Sequence, residues 1–333
     1  MKLLVSGRHQ ATIWLVLCFV FSYYYVTRTH AGDNSSIAQH ALLAIEPPFV
    51  FRLLLPWALH QILPLEWLDL NYTRTLHASF FSFSSVSLMP SFMARILDRP
   101  LTSDECARAR LAGFVILIAH FVLPRNLKFY YVYDFPAMTF YQLSFLALTH
   151  PSQKRRWVGV AITALFAVNR ETVGVAVIHA ATWHGEQLLR TKQREFRKWL
   201  SVCAPLALSA ASVLIARGLI SHALSLPAQA SFSWMDGEQF RLFANLQRMA
   251  TKHHHAIAAI WFGAGALIWL PKKWQYFDSR FKALLLASSP VFVFYCIVGN
   301  FVELRMFSEL IPILAVGLAL PRRVNTTGQS TSP

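Results

Sequence analysis

The sequence predicts an all-α fold: a polytopic bundle of transmembrane helices, about eight full spans with a broken, re-entrant helix pair among them. Three observations carry this. The 333 residues are 55% hydrophobic and 14% charged with mean hydropathy +0.41, so there are too few charges to cover a soluble globule. Several apolar runs approach the roughly twenty residues that a helix needs to cross a bilayer core. The apolar stretch 157–183 is interrupted by Asn169, Arg170, Glu171 and Thr172 and carries basic clusters at both ends.

The first apolar run, 11–27, follows Lys2 and Arg8. Thr29-His30-Ala31 offers a small-x-small site at which a signal peptide would be cleaved. Against cleavage, the apolar core is long for such a peptide, and Tyr23, Tyr24 and Tyr25 suit the aromatic belt of a retained helix. Under either reading residue 32 begins outside. The outer loop 28–74 contains Glu46-Pro47-Pro48-Phe49-Val50-Phe51-Arg52, whose proline pair stops any helix running through. The Leu, Trp and Ile pattern that follows suits a short amphipathic helix lying at the interface. Spans are then expected at 75–96, 109–124 and 132–149.

The interrupted segment comes next. Lys154, Arg155 and Arg156 precede it, and Arg190, Lys192, Arg194, Arg197 and Lys198 follow it. The positive-inside rule asks for both flanks on one side, which a straight span cannot provide. Two half-helices of about twelve residues that turn back at the polar tetrapeptide do provide it. Further spans are expected at 200–223, 254–271, 283–299 and 304–320. The outer loop 224–253 carries Trp234, Phe240 and Phe243 and suits an interfacial helix. Residues 1–323 thus form a single integral membrane domain, and the tail 324–333, rich in Thr, Ser and Asn, reads as disordered.

With both termini inside, the inner segments hold 20 of the 31 Lys and Arg. A through-going fifth span would reverse every later loop and place Lys272, Lys273, Arg280, Lys282, Arg322 and Arg323 outside. Ten of the 16 acidic residues fall on or near the outer face, although acids have little influence on insertion. That asymmetry points to chemistry or recognition outside.

The net charge of +15 follows from basic inner loops rather than from nucleic-acid binding, since no basic face with interleaved aromatics stands outside the apolar runs. Cys18, Cys106, Cys203 and Cys296 show no CxxC or Cys/His pairing and read as small apolar residues. His253-His254-His255 lacks the i,i+4 spacing and third ligand of a zinc site and reads as an exposed polar tract; no metal-ligating residues and no cofactor are expected, and the sequence leaves a divalent-metal requirement open.

Ionisable residues near the outer face are the functional candidates. Arg52 either snorkels to lipid phosphates or is a fixed cation for a phosphate or pyrophosphate. Asp134 opens the fourth span, where an acid is favoured by the helix dipole alone; Tyr130, Tyr131 and Tyr133 beside it have the ring faces that hold sugars. Asn169, Arg170 and Glu171 form either a local network that stabilises the turn or part of a ligand site. Glu303, Arg305 and Glu309 lie in a short outer turn, with Arg305 and Glu309 at i,i+4. These elements come from distant parts of the chain and map to one face.

Phe51-Arg52-Leu53-Leu54-Leu55-Pro56-Trp57, Tyr133-Asp134-Phe135-Pro136, Asn169-Arg170-Glu171-Thr172 and Glu303-Leu304-Arg305-Met306-Phe307 together resemble uncharacterised bacterial inner-membrane proteins, which in turn are similar to the GT-C superfamily of polytopic glycosyltransferases. The resemblance spans nearly the whole chain through short, loosely spaced motifs. It implies transfer of a sugar from a polyprenyl-phosphate donor at the periplasmic face, by inversion, with an outer-loop carboxylate as general base. By loop position Asp33 or Glu46 matches that base; by setting, Asp134 does. Arg52, Arg170 and Arg305 would hold the phosphate, and Glu171 and Glu303 would orient them or bind sugar hydroxyls. The partners implied are membrane lipid and the lipid-linked donor. Other classes compatible with the sequence are a carrier or flippase for an anionic or lipid-linked solute, and a non-catalytic subunit of an envelope-polymer assembly.

Overall fold

The computed structural model describes residues 7–30, 36–43, 54–122, 130–169, 171–191, 196–223, 270–298 and 308–320, with the isolated positions 243, 247, 250 and 251. Every regular element among them is helical. Most of the expected 224–253 loop, nearly all of the 254–271 span and the 324–333 tail lie outside the described residues.

Helix α1 (Gly7–Arg28) has 22 residues, about 33 Å of rise. Cys18, Phe21, Tyr25 and Val26 are buried on one face, while Val16, Val20 and Tyr23 on the other are exposed. Tyr25 therefore belongs to the core rather than to an interfacial belt. Three short helices follow: α2 (Ile37–Ala41), α3 (Leu54–His60) and α4 (Leu65–Leu68). Asp69 ties α2 down from outside its own segment, accepting from Ser36 Oγ (2.5 Å), Ile37 N–H (2.7 Å) and Ala38 N–H (3.3 Å). A carboxylate facing the free N–H groups of a first turn is favoured by both hydrogen bonding and the helix dipole.

Helix α5 (Asn71–Leu97) ends where Asp98 takes the left-handed conformation at φ 52°. Helix α6 (Ser103–Phe121) opens on a capping box between Thr102 and Glu105. Helix α7 (Asp134–Leu148) is buried nearly all round, as expected of a central helix. It runs parallel to α5: Tyr130 faces His77, Thr139 donates to the Phe81 carbonyl (3.0 Å) and Phe145 meets Phe92.

Helix α8 (Gln153–Ala167) lies antiparallel to α7, since Gly159 sits against the Leu148 backbone and Phe166 stacks on Phe140 at 3.7 Å. After one 3-10 turn, Glu171–Val173, helix α9 (Gly174–Thr191) runs parallel to α7. Tyr141 faces His179, and His184 Nε2 donates to the Leu148 carbonyl (3.0 Å). The chain therefore doubles back around residues 168–173. The two arms have 15 and 18 residues rather than a dozen, because both helices continue through their polar flanks.

Helix α10 (Phe196–Ala223) packs along α8, with Arg156 Nε donating to the Ser201 carbonyl (3.3 Å). Helices α11 (Leu270–Trp274), α12 (Ser279–Val298) and α13 (Ile311–Ala319) complete the described bundle. Among the described residues three segments are long and apolar enough to cross a membrane by length and composition: His9–Arg28, Asn71–Leu97 and Trp199–Ala223. Of the other expected spans, α6, α7 and α13 are helical but shorter or more charged. Helix α6 starts among Asp104, Glu105, Arg108 and Arg110, and α13 has nine residues, about 14 Å. Leu208, Leu214 and Leu219 on α10 are exposed, an apolar surface of the kind that marks contact with lipid or with another protein.

At the end of the bundle away from the reversal, α5, α9 and α12 are joined by an ion network centred on the buried guanidinium of Arg280. Arg280 donates from Nε to Glu186 (3.1 Å) and pairs through Nη1 with Asp98 (3.3 Å), its guanidinium 4.8 Å from the Trp183 ring. Trp183 Nε1–H donates to the Arg95 carbonyl (3.2 Å).

Candidate functional site

The helix directions set which polar residues share an end of the bundle. Helices α5 and α7 begin at that end, and α8 arrives there before the chain reverses. From the Phe140–Phe166 stack, Asn169 lies three residues toward this end and Asp134 six, about 4.5 and 9 Å of helix rise. The reversal is thus level with the first turns of α7 rather than with its middle.

Tyr130 is the anchor of the first polar group. Its N–H donates to the His30 carbonyl (3.2 Å) and its ring lies near Tyr25 and Phe135. Its hydroxyl donates to the Arg74 carbonyl (3.2 Å) and lies 2.7 Å from His77 Nδ1. With the phenol proton given to that carbonyl, Nδ1 is assigned the ring proton and Nε2 the lone pair of the neutral tautomer. Arg74 and His77 are three residues apart on one face of α5 and flank the Tyr130 ring, with the guanidinium carbon 5.5 Å from its centroid. Arg74 is 6% exposed and donates from Nη2 to Asn71 Oδ1 (2.6 Å). Its Nε and Nη1, and His77 Nε2, are buried without a hydrogen-bond partner among the described residues.

Asp134 opens α7 and is 3% exposed. Tyr133 beside it is equally buried, edge-on to His40 at 6.1 Å and 5.4 Å from the Tyr131 ring. The rings that the sequence offered as open stacking faces are therefore largely enclosed.

The reversal supplies a second polar group. Asn169 is fully buried; its backbone N–H donates to the Phe166 carbonyl (2.9 Å), yet neither Nδ2 nor Oδ1 has a partner among the described residues. Thr172 Oγ1 donates to the carboxylate of buried Glu309, whose other oxygen accepts from Ser308 Oγ (3.4 Å). One helical level further in, Tyr141 Oη lies 2.6 Å from His179 Nδ1, and His179 Nε2 lies 3.0 Å from Ser288 Oγ. These groups come from α7, the reversal, α9, α12 and the turn before α13.

Of the residues picked from sequence, Asp134, Tyr133 and Asn169 are brought to one end of the bundle. Glu171 is described only as backbone of the 3-10 turn. Asp33, Glu46, Arg52, Arg170, Glu303 and Arg305 lie outside the described residues. Sequence reasoning passed over Arg74, His77 and His179, and it treated Glu309 only as an ion-pair partner. The signal for the first two was their i,i+3 spacing at the mouth of a span. It was hidden by a loop boundary drawn between them, at residue 74. Among the described residues no three His, Cys, Asp or Glu side chains group as metal ligands. Comparison of the chain with protein-family models, with curated proteins and with solved structures finds no match.

Proposed function

We propose that this protein is a membrane glycosyltransferase-like enzyme with about eight spans, which transfers a sugar from a polyprenyl-phosphate donor at the periplasmic face. The observation that carries the reading is Asn169: a fully buried carboxamide with both polar atoms unpartnered among the described residues, at a helix reversal beside Thr172 and Glu309. Leaving an amide unsatisfied costs roughly 1–3 kcal/mol, a cost that a bound ligand completing its hydrogen bonds would remove. A sugar, rich in hydroxyls that both donate and accept, satisfies a carboxamide on both sides.

The chemistry needs a base to take the proton from an acceptor hydroxyl, cations to stabilise the departing phosphate and a pocket that orients the sugar. Asp134 is our choice of base, with Glu46 and Asp33 as alternatives in the outer loop; Arg52, Arg170 and Arg305 are the phosphate cations. Asn169, Glu171, Glu303 and Tyr133 bind or orient the sugar. A carrier would need an opening at both ends of the bundle, and the Arg280 network ties helices together at the end opposite this site.

Purified protein given radiolabelled polyprenyl-phosphate sugars should release polyprenyl phosphate and transfer label to an acceptor. Asn169→Leu should lose at least tenfold in transfer while raising the thermal midpoint, because the unsatisfied amide is gone. Full transfer by both Arg170→Ala and Glu171→Ala would remove the reversal from the active site.

A further inference from the structure

Arg74 stands apart from the other described cations. It is buried at the first turn of α5, has one hydrogen bond to a neutral amide oxygen, and keeps two of its three nitrogens without a partner among the described residues. No described carboxylate lies within ion-pair distance of it. Nearby Asp69 is occupied by Ser36 and the N–H groups of Ile37 and Ala38. By contrast, Arg280 and Arg99 each meet carboxylates directly. A buried guanidinium costs several kcal/mol when uncompensated, and an aromatic face beneath it offsets only part of that. Among the described residues no anion makes direct contact with it.

His77 narrows the identity of the anion. One turn further along the same face, its Nδ1 is held at the Tyr130 hydroxyl while Nε2 is buried and has no partner among the described residues. A carboxylate would use the guanidinium but leave a lone pair on Nε2 facing another lone pair. A phosphate carrying one proton uses both: its P–OH donates to Nε2, and its charged oxygens accept from Nε and Nη1 of Arg74.

We propose that Arg74 and His77, positioned by Tyr130, form a binding site for a phosphate group, either the phosphate of a lipid monoester or free inorganic phosphate. The site rests on the transferase reading and deepens it by adding a phosphate-binding cation on α5 to Arg52, Arg170 and Arg305, and it is testable without turnover. Arg74 and His77 are the residues that touch the phosphate; Tyr130 acts through His77 as a positioning residue.

The test is direct binding to the full chain in detergent micelles, with inorganic phosphate and a short-chain polyprenyl phosphate as probes. Arg74→Gln should weaken binding of the preferred probe about 10- to 100-fold, the loss expected for hydrogen bonds to a charged group, and Arg74→Lys should recover part of it. His77→Phe should weaken it several-fold, and Tyr130→Phe should do so less. Preference for the lipid probe assigns the site to a membrane headgroup; equal affinity for both assigns it to the phosphate alone. Each variant's thermal midpoint without probe reports its fold, and Asn71→Ala provides a second variant at the same turn, freeing the remaining guanidinium nitrogen while leaving phosphate bound. Unchanged binding of both probes by folded Arg74→Gln, or no binding of either by the parent chain, overturns the proposal. Binding with no sugar transfer would leave this site standing and sink the transferase reading; transfer with binding insensitive to Arg74 would do the reverse.

Discussion

The hydroxyl of Tyr141 and Nδ1 of His179 lie 2.6 Å apart, joining the central helix α7 to the returning arm α9 inside the core. Ser288 on α12 continues the chain through His179 Nε2. Tyr141→Phe keeps the ring packed against Phe92 and Phe145 but leaves a buried imidazole nitrogen unpaired. The expected loss is about 1–3 kcal/mol of stability. Thermal unfolding should show a lower midpoint for Tyr141→Phe, and an unchanged midpoint would mean the contact contributes nothing.

Gly159 and Gly113 invite a paired experiment. A Cβ at Gly159 would stand 2.9 Å from the Leu148 backbone nitrogen and 3.1 Å from the Ala147 carbonyl carbon, neither of which can move alone. At Gly113 the obstacle is Met89 Cγ at 2.7 Å, part of a flexible side chain. Gly159→Ala should cost about 1–3 kcal/mol by forcing α7 and α8 apart, and Gly113→Ala markedly less. Equal midpoints for the two variants would contradict the close approach of α7 and α8.

The doubling back at 168–173 gives a topological prediction. Lys154 and Thr191 are exposed near the far ends of α8 and α9. In a background lacking Cys18, Cys106, Cys203 and Cys296, Lys154→Cys and Thr191→Cys should react with an impermeant thiol reagent from the same side of the membrane. Reaction from opposite sides would refute the membrane arrangement proposed for these arms.

Much of this was legible in the sequence because charge and hydropathy act locally. The basic flanks at 154–156 and 190–198 announce a reversal, and Asn169 and Thr172 mark it; the reversal is where the arms meet. Its depth was not legible, because it depends on Phe140 stacking on Phe166, a contact between helices that composition does not encode. Asp134 stood out as an acid at a helix start. Arg74 and His77 did not, since their significance lies in what fails to meet them once Tyr130 is folded in from 53 residues beyond His77.

Acid should act on the opposite end of the bundle. Hydrogen bonds from the Arg99 guanidinium, then from Thr102 N–H, hold the Glu105 carboxyl at about 2, below its ordinary 4.5. Between those values the unfolded chain binds more protons than the folded one, so the stabilisation is complete above about pH 4.5 and lost as pH falls toward about 2. Glu105→Gln should flatten that part of an acid-unfolding curve measured in detergent, while a curve identical to the parent's would show that Glu105 does not contribute.

The clasp around Arg280 has a mechanical consequence. Helices from three separate stretches of sequence are riveted at one extremity by a single guanidinium, whereas α9 begins at the other extremity just after a lone helical turn. A swing of α9 about that rivet would displace Thr172 most and Trp183 least, like the arm of a pair of tweezers, and the hydrogen bond from Thr172 to Glu309 is placed where it would resist that swing with the longest lever.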